Sequence, residues 1–375
     1  MGETQALEGE GRGAERSADL GPEQVAAVDR SDLLGAIAGL PRQLTAGYAA
    51  ARRSLRAALA EGAAPAERPA GVVICGMGGS AIGADLVLAC LPELPVPAAV
   101  VRGYELPAWA GPETLVIAVS YSGGTEETLA CATAALTRGA TPVCVASGGR
   151  LAALAGEHSL PLVLVPGGGQ PRAAVGALAM PLLAALEAAG LCAAAEGDVD
   201  EAAAVLRAAG EGCAPEAGAE ANPAKRLARA LFRRLLVVYG AGLTVPAARR
   251  WKGQVNENAK APAFWNELPE LDHNELMGWS SLPPVSAATT AVFLEDAAAD
   301  PRLRRRAELT AAEVRRHGLA VEMVTARGAS RLARLFSLVQ LGDYVSFYLA
   351  VLYGVDPTPV TAIEEFKAEL AGAGG

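Results

Sequence analysis

The sequence predicts an α/β fold made of two doubly wound parallel-sheet halves, and three observations carry that prediction. Short, continuous apolar runs recur along the chain, each closed by a glycine or hydroxyl turn and followed by a helical stretch. The runs are uniformly apolar and do not alternate, as strands covered on both faces require. The pattern begins again after residue 222, and 375 residues are enough for two cores.

The elements follow in order. Residues 1–20 are acidic and glycine-rich with no apolar stretch, and read as a disordered tail, not a signal peptide. Residues 22–61 read as helical and end in a Gly/Ala/Pro-rich stretch at 62–69. Strands are expected at 71–75 (GVVIC), 98–102, 114–119 (TLVIAV), 141–145 and 160–165, with helices at 81–91 and from 126. Residues 193–222 are Ala-rich and punctuated by Gly, which places a first domain at 21–195, a junction at 196–222 and a second domain at 223–375. The second domain is expected to run strand 235–240, helix from 245, strand 291–295, helix 301–317, strand 320–324 and a long apolar helix 332–353. A C-terminal helix then carries residues 364–367 (EEFK).

Composition narrows the function. Mean hydropathy is +0.26 and 51% of residues are hydrophobic, as in a globular protein. The net charge of −9 argues against a nucleic-acid binder, which would show a basic face. It leaves room for an anionic substrate, because a local site can be positive on an acidic protein. No apolar run reads as a membrane span; residues 173–186 stop short of one. The six cysteines form no CxxC pair and read as small buried hydrophobes of a reducing, cytoplasmic protein. With three His, no zinc-type metal site is readable and no cofactor is expected. The basic residues are nearly all Arg. Only four Lys occur, Lys225, Lys252, Lys260 and Lys367.

Two strand-to-helix turns stand out. Residues 76–83 (GMGGSAIG) bring backbone close to a ligand, and residues 120–128 (SYSGGTEET) concentrate hydroxyls and glycines where a helix begins. A helix N-terminus offers free N–H groups and a positive dipole end, and hydroxyls add donors, so such a loop binds a phosphate monoester. Each turn has a rival reading. Gly76, Gly78 and Ala81 match G-x-G-x-x-A, but Arg102 stands where that dinucleotide fingerprint expects an acidic residue. The second turn could be an ordinary N-cap, although a cap needs one hydroxyl and this loop has Ser120, Ser122 and Thr125.

The 120–128 loop resembles the phosphosugar loop of SIS (sugar isomerase) domains, whose fold is flavodoxin-like. Residues 76–83, 256–260 (NENAK) and 269–275 (PELDHNE) resemble one subgroup, the bifunctional phosphoglucose/phosphomannose isomerases. The resemblance spans residues 21–370 and implies two SIS domains in one chain. It implies that Gly78, Gly79 and Ser80 contact the sugar and that Ser120, Ser122 and Thr125 hold its phosphate. It further implies Glu257 as base, His273 as ring-opening residue, and Arg172 and Lys367 as active-site cations. The family's His reaches across a homodimer into the partner's site. Gly124 departs from the pattern, which has Asn there. A Thr that makes room for both epimers matches either Thr358 or Thr361.

The implied chemistry needs these residue types. A carboxylate can take a proton from C2 of a sugar phosphate and return it to C1 on the same face. A His titrates near neutrality and suits ring opening. Arg or Lys stabilises the enediolate charge. Each residue taken alone has a plainer reading. Glu257 suits a solvated helix face, His273 a surface loop and Lys367 a helix end. Tyr121, Trp265 and Trp279 read as packing residues, and His158 and His317 as exposed helix ends. A non-catalytic sugar-phosphate regulator is the alternative of a different class. An isomerase of amino-sugar or pentose phosphates is a third. The joint presence of Glu257, His273, Arg172 and Lys367 favours the hexose isomerase.

Overall fold

A computed structural model describes residues 20–62, 68–91 and 93–372 of the chain. The expected N-terminal tail falls almost wholly outside these residues; Leu20, at its end, is fully buried.

The first half opens with helices α1 (Pro22–Val28), α2 (Leu33–Ala38) and α3 (Leu40–Ala60), where one continuous helical segment was expected. Asp32 caps α2 by accepting from the Gly35 N–H, and α3 buries Leu40, Leu44, Tyr48, Ala51 and Leu55 along one face. There follow β1 (Gly71–Cys75), α4 (Gly78–Cys90), β2 (Ala98–Val101), β3 (Thr114–Ser120), α5 (Glu126–Thr137), β4 (Val143–Ala146), α6 (Gly149–Glu157), β5 (Leu162–Leu164) and α7 (Val175–Ala188). The strands are all parallel in the order β2-β1-β3-β4-β5, and β1 and β3 are buried at every residue.

Within the residues read as the junction lies a 16-residue helix, α8 (Glu196–Glu211). Val199, Ala202, Ala203 and Leu206 are buried against α3 and the long helix of the second half. Its small side chains gave the sequence no clear helical face.

The second half comprises α9 (Pro223–Leu231), β6 (Leu235–Ala241), α10 (Val245–Asn258), β7 (Ala263–Leu268), α11 (Glu275–Gly278), α12 (Pro283–Ala287), β8 (Thr289–Glu295), α13 (Pro301–Arg316), β9 (Ala320–Thr325), α14 (Arg331–Tyr353) and α15 (Thr361–Gly372). Its sheet is parallel in the order β7-β6-β8-β9, the same winding with one strand fewer. Strand β7 escaped the sequence reading because it is an edge strand with polar and half-exposed residues in its middle.

One apolar cluster joins the halves, with α14 packed on α8, α9 and α10 and on helices of the first half. Helix α14 is long and apolar enough to cross a bilayer, yet 89% of its most apolar window is buried within the protein. All six cysteines are free, and five are buried. His158 is exposed at the end of α6, whereas His317 is half-buried 3.1 Å from Glu313.

Candidate active site

In an open doubly wound sheet, ligands bind where the strand order reverses, beyond the C-terminal strand ends. In the first sheet that point lies between β1 and β3. The turn leading into α4 leaves β1, and the Ser120–Thr125 segment leaves β3. Sequence and topology therefore single out the same two loops.

The second loop is held open by its backbone. Gly123 has φ +68°, and a Cβ there would lie 1.8 Å from the Gly148 carbonyl oxygen. Only glycine fits this approach. A Cβ at Gly124 would meet only Ser122 Oγ, at an ordinary 3.7 Å, so the departure from Asn there leaves the backbone path intact. The Ser120 and Thr125 hydroxyls lie 2.8 Å apart, and the Thr125 N–H donates to Ser120 Oγ at 3.3 Å. The Gly124 N–H donates to Ser122 Oγ at 3.2 Å. Thr125 occupies the N-cap position of α5 but makes no side-chain cap bond. Its hydroxyl turns to Ser120 instead, which disposes of the simple N-cap reading.

Ser80 ties the two loops together, its Oγ accepting from the Tyr121 N–H at 3.3 Å. Tyr121 is buried, and its hydroxyl accepts from the Gly169 N–H at 3.0 Å. It is a packing residue, as expected. Gly79 abuts the next element so closely that a Cβ would sit 3.0 Å from the Pro171 carbonyl.

That contact leads to Arg172, in a single 3-10 turn ahead of α7. Arg172 is 4% exposed. Its Nε donates to Asn258 Oδ1 at 2.7 Å, Nη1 to Gln170 Oε1 at 2.9 Å, and Nη2 to the Pro357 and Thr358 carbonyls at 2.8 and 2.7 Å. Nη1 also lies 3.7 Å from the Glu257 carboxylate. Burial pulls the Arg172 guanidinium below its ordinary pKa, and the Glu257 charge pushes it back up.

Glu257 stands in the last turn of α10, one residue before the buried Asn258. Asn258 donates to Ser346 on α14 at 2.9 Å. Nearby, Arg250 is 4% exposed and makes a two-point pair with Asp343 at 3.0 and 2.8 Å, which Gln254 completes at 2.8 Å. Burial pushes the Asp343 carboxyl up, against the pull of Arg250 and Gln254. Arg250 also donates to the Arg172 carbonyl at 2.7 Å. Lys260 donates to the carbonyls of Glu257, Pro357 and Pro359, fixing the segment that passes Arg172. Burial, then the Arg172 charge, lowers its pKa.

A cavity of about 310 Å³ collects Gly78, Gly79, Arg172 and Glu257 around one space, with Arg102, Arg249, Lys252 and Trp265 on its other walls. Trp265, expected to be a packing residue, lines this cavity beneath the Arg249 guanidinium, 5.6 Å from its ring centre. A larger hollow of about 800 Å³ between α3 and β5 contains neither Arg172 nor Glu257.

The structure does not bring every expected residue here. His273 is exposed at the end of a 3-10 turn, outside the cavity. Buried Leu271 and the bonds of Asp272 to Arg306 and Thr310 anchor that turn. Lys367 is exposed on α15, also away from the cavity. Thr361 is exposed at the start of the same helix. Thr358, by contrast, holds Arg172 through its carbonyl, and its hydroxyl is buried with no hydrogen-bond partner among the described residues. Sequence reasoning passed over Asn258, Gln170, Arg249, Arg250 and Lys252. The first two are local neighbours of residues it did find, and the other three lie on α10 outside any motif it recognised.

The fold and these loops define a SIS-domain protein with two domains. The bacterial phospho-glucose isomerase C-terminal SIS domain matches residues 220–370. A bifunctional phosphoglucose/phosphomannose isomerase of Caldicellulosiruptor bescii is 42% identical over 302 residues, 80% of this chain and 89% of the relative. The protein of that name from Aquifex aeolicus is 37% identical, over 80% and 90%. Among solved structures, a hypothetical protein from Thermus thermophilus shares the fold with a TM-score of 0.72 at 19% identity, over 94% of this chain and 92% of that one. The chain belongs to the bifunctional phosphoglucose/phosphomannose isomerase family.

Proposed function

We propose that this protein interconverts glucose 6-phosphate and mannose 6-phosphate with fructose 6-phosphate through a cis-enediolate, without a metal ion. The observation that carries the reading is the 3.7 Å approach of Glu257 to Arg172 at a cavity edged by the Gly78–Gly79 backbone. The phosphate rests on Ser120, Ser122 and Thr125, with Gly78, Gly79 and Ser80 along the sugar. Glu257 moves the proton between C2 and C1, and the enediolate charge is met by Arg172, buried where charge interactions are strong. The enediolate has no stereocentre at C2, so one base serves both aldoses. Thr358 is the residue assigned to substrate breadth, because it borders Arg172 and Thr361 does not.

His273 opens the ring from the neighbouring subunit of a homodimer, and Lys367 supplies a further cation once substrate draws α15 inward. Support for the dimer lies beside the His273 turn. Phe264, Met277, Leu282 and Val285 are 57%, 75%, 60% and 44% exposed around the edge strand β7. Such a grouped apolar surface marks an interface. The division of the chain into domains at 21–195 and 223–375, bridged by α8, is part of this reading.

A coupled assay on each aldose phosphate in the presence of EDTA tests it. Turnover of both substrates is expected. Absence of turnover with phosphosugar binding intact would leave a non-catalytic sensor.

A further inference from the structure

The far side of the cavity has no task in the proposed reaction, and its chemistry is distinctive. Arg102, Arg172, Arg249, Arg250 and Lys252 line the cavity as a whole, and Glu257 is the one carboxylate among its lining residues. Two further carboxylates stand behind the wall. Asp343 pairs with Arg250, and Asp85 is shared by Arg102 and Arg249, the latter at 3.4 Å. Five cations thus face three carboxylates, which leaves two positive charges in excess on a protein of net charge −9. Lys252 is half-buried on α10 and makes no ion pair among the described residues.

The position of this excess matters. Ser120, Ser122 and Thr125 do not line the cavity. Ser80 links to that loop, Gly79 touches Arg172, and Arg172 faces Glu257. With the phosphate on the 120–125 loop and Glu257 at the reacting carbons, as proposed above, Arg249 and Lys252 fall at the end of the sugar opposite its phosphate.

We infer that Arg249 and Lys252 form a second anion subsite, which takes a sugar phosphate bearing another anionic group at its C1 end. This rests on the reading of Glu257 and the 120–125 loop given above. A ligand whose O1 is already a phosphate ester cannot become an aldose there, so hexose 1,6-bisphosphates bind as competitive inhibitors. Their carbon chain lies along Gly78 and Gly79, and the second phosphate enters the space beside Trp265.

Calorimetric titration of hexitol 6-phosphate against hexitol 1,6-bisphosphate tests this directly. Both are acyclic and unreactive, and they differ by one phosphate. The bisphosphate should bind about tenfold more tightly at low salt, an advantage that shrinks as salt rises. Lys252→Gln, and Lys252→Gln combined with Arg249→Gln, should remove the advantage while monophosphate affinity moves less than about twofold. The single variant guards against misfolding of the double one. Equal affinity of the two hexitols for the unmodified protein overturns the inference. So does an advantage that survives both variants, or an equal loss of both ligands, which would make Arg249 and Lys252 part of the seat of the sugar itself. The readout is binding, so its failure is separable from a failure of isomerase activity, which the coupled assay reads.

Discussion

Asn258 fixes the plane of Arg172: its Oδ1 takes the Nε–H at 2.7 Å, which leaves Nη1 turned towards Glu257. Asn258 is itself fully buried and held by Ser346. The residue after the proposed base therefore sets the angle of the cation that serves it.

Asn258→Leu removes that acceptor from a buried guanidinium. A loss of about 1.5–3 kcal/mol of stability is expected, the range for a hydrogen bond to a charged group. Urea unfolding measures it. Turnover should fall further than the stability loss explains, because Arg172, still held at Nη1 and Nη2, then loses the Nε contact that sets its angle to Glu257. Asn258→Asp restores an acceptor and should recover part of the turnover.

Glu257→Gln keeps shape and removes the base. Turnover should drop by about 10²–10⁴ while hexitol 6-phosphate still binds. A variant at full speed would sink the assignment.

A His273 that serves the partner subunit makes a prediction about mixtures. Glu257→Gln and His273→Ala should each be inactive alone. Re-associated together in equal amounts, half the dimers are mixed, and each mixed dimer holds one intact site. About a quarter of normal activity should return. No recovery on mixing would place His273 in the site of its own chain.

Gly123→Ala adds a methyl group against the Gly148 carbonyl in a left-handed conformation. The loop must then move, so KM for fructose 6-phosphate should rise at least about tenfold, the loss of roughly one charge-assisted hydrogen bond to the phosphate. Ser122→Ala, which leaves the backbone path alone, should have the smaller effect.

Alkali should destabilise the protein through its thiols. Burial pushes Cys144 up to about 12 from its ordinary 9. A pKa raised on folding stabilises fully below pH 9, and that contribution fades as pH climbs from 9 towards 12. Cys144→Ala should flatten the fall in urea midpoint between pH 9 and 11, by up to about 1.4 kcal/mol per pH unit. An unchanged slope would show that other groups dominate.

The central strands were legible because burial on both faces makes them continuously apolar, as at Gly71–Cys75 and Thr114–Ser120. The 120–125 loop stood out in the sequence because its chemistry is local, three hydroxyls within six residues. Arg172, Asn258 and Thr358 are another matter. Their contacts span 86 and 186 residues, so the motifs that resemble the family pointed to Arg172 but no spacing rule could find what holds it. Lys252 and Arg249 drew no reading from the sequence because a helix wheel cannot tell a cavity from bulk water. The α8 helix was hidden by its Ala and Gly content, which suits both a linker and a tight helix contact.

Helix α14 lies in the common core, yet it is made after every helix it packs on. Until Arg331–Tyr353 leaves the ribosome, α8, α9 and α10 lack the surface they pack against, and so does part of the first half. The emerging chain must hold these apolar faces uncovered until then. A break anywhere between the two sheets would then yield two sticky fragments and no self-sufficient half.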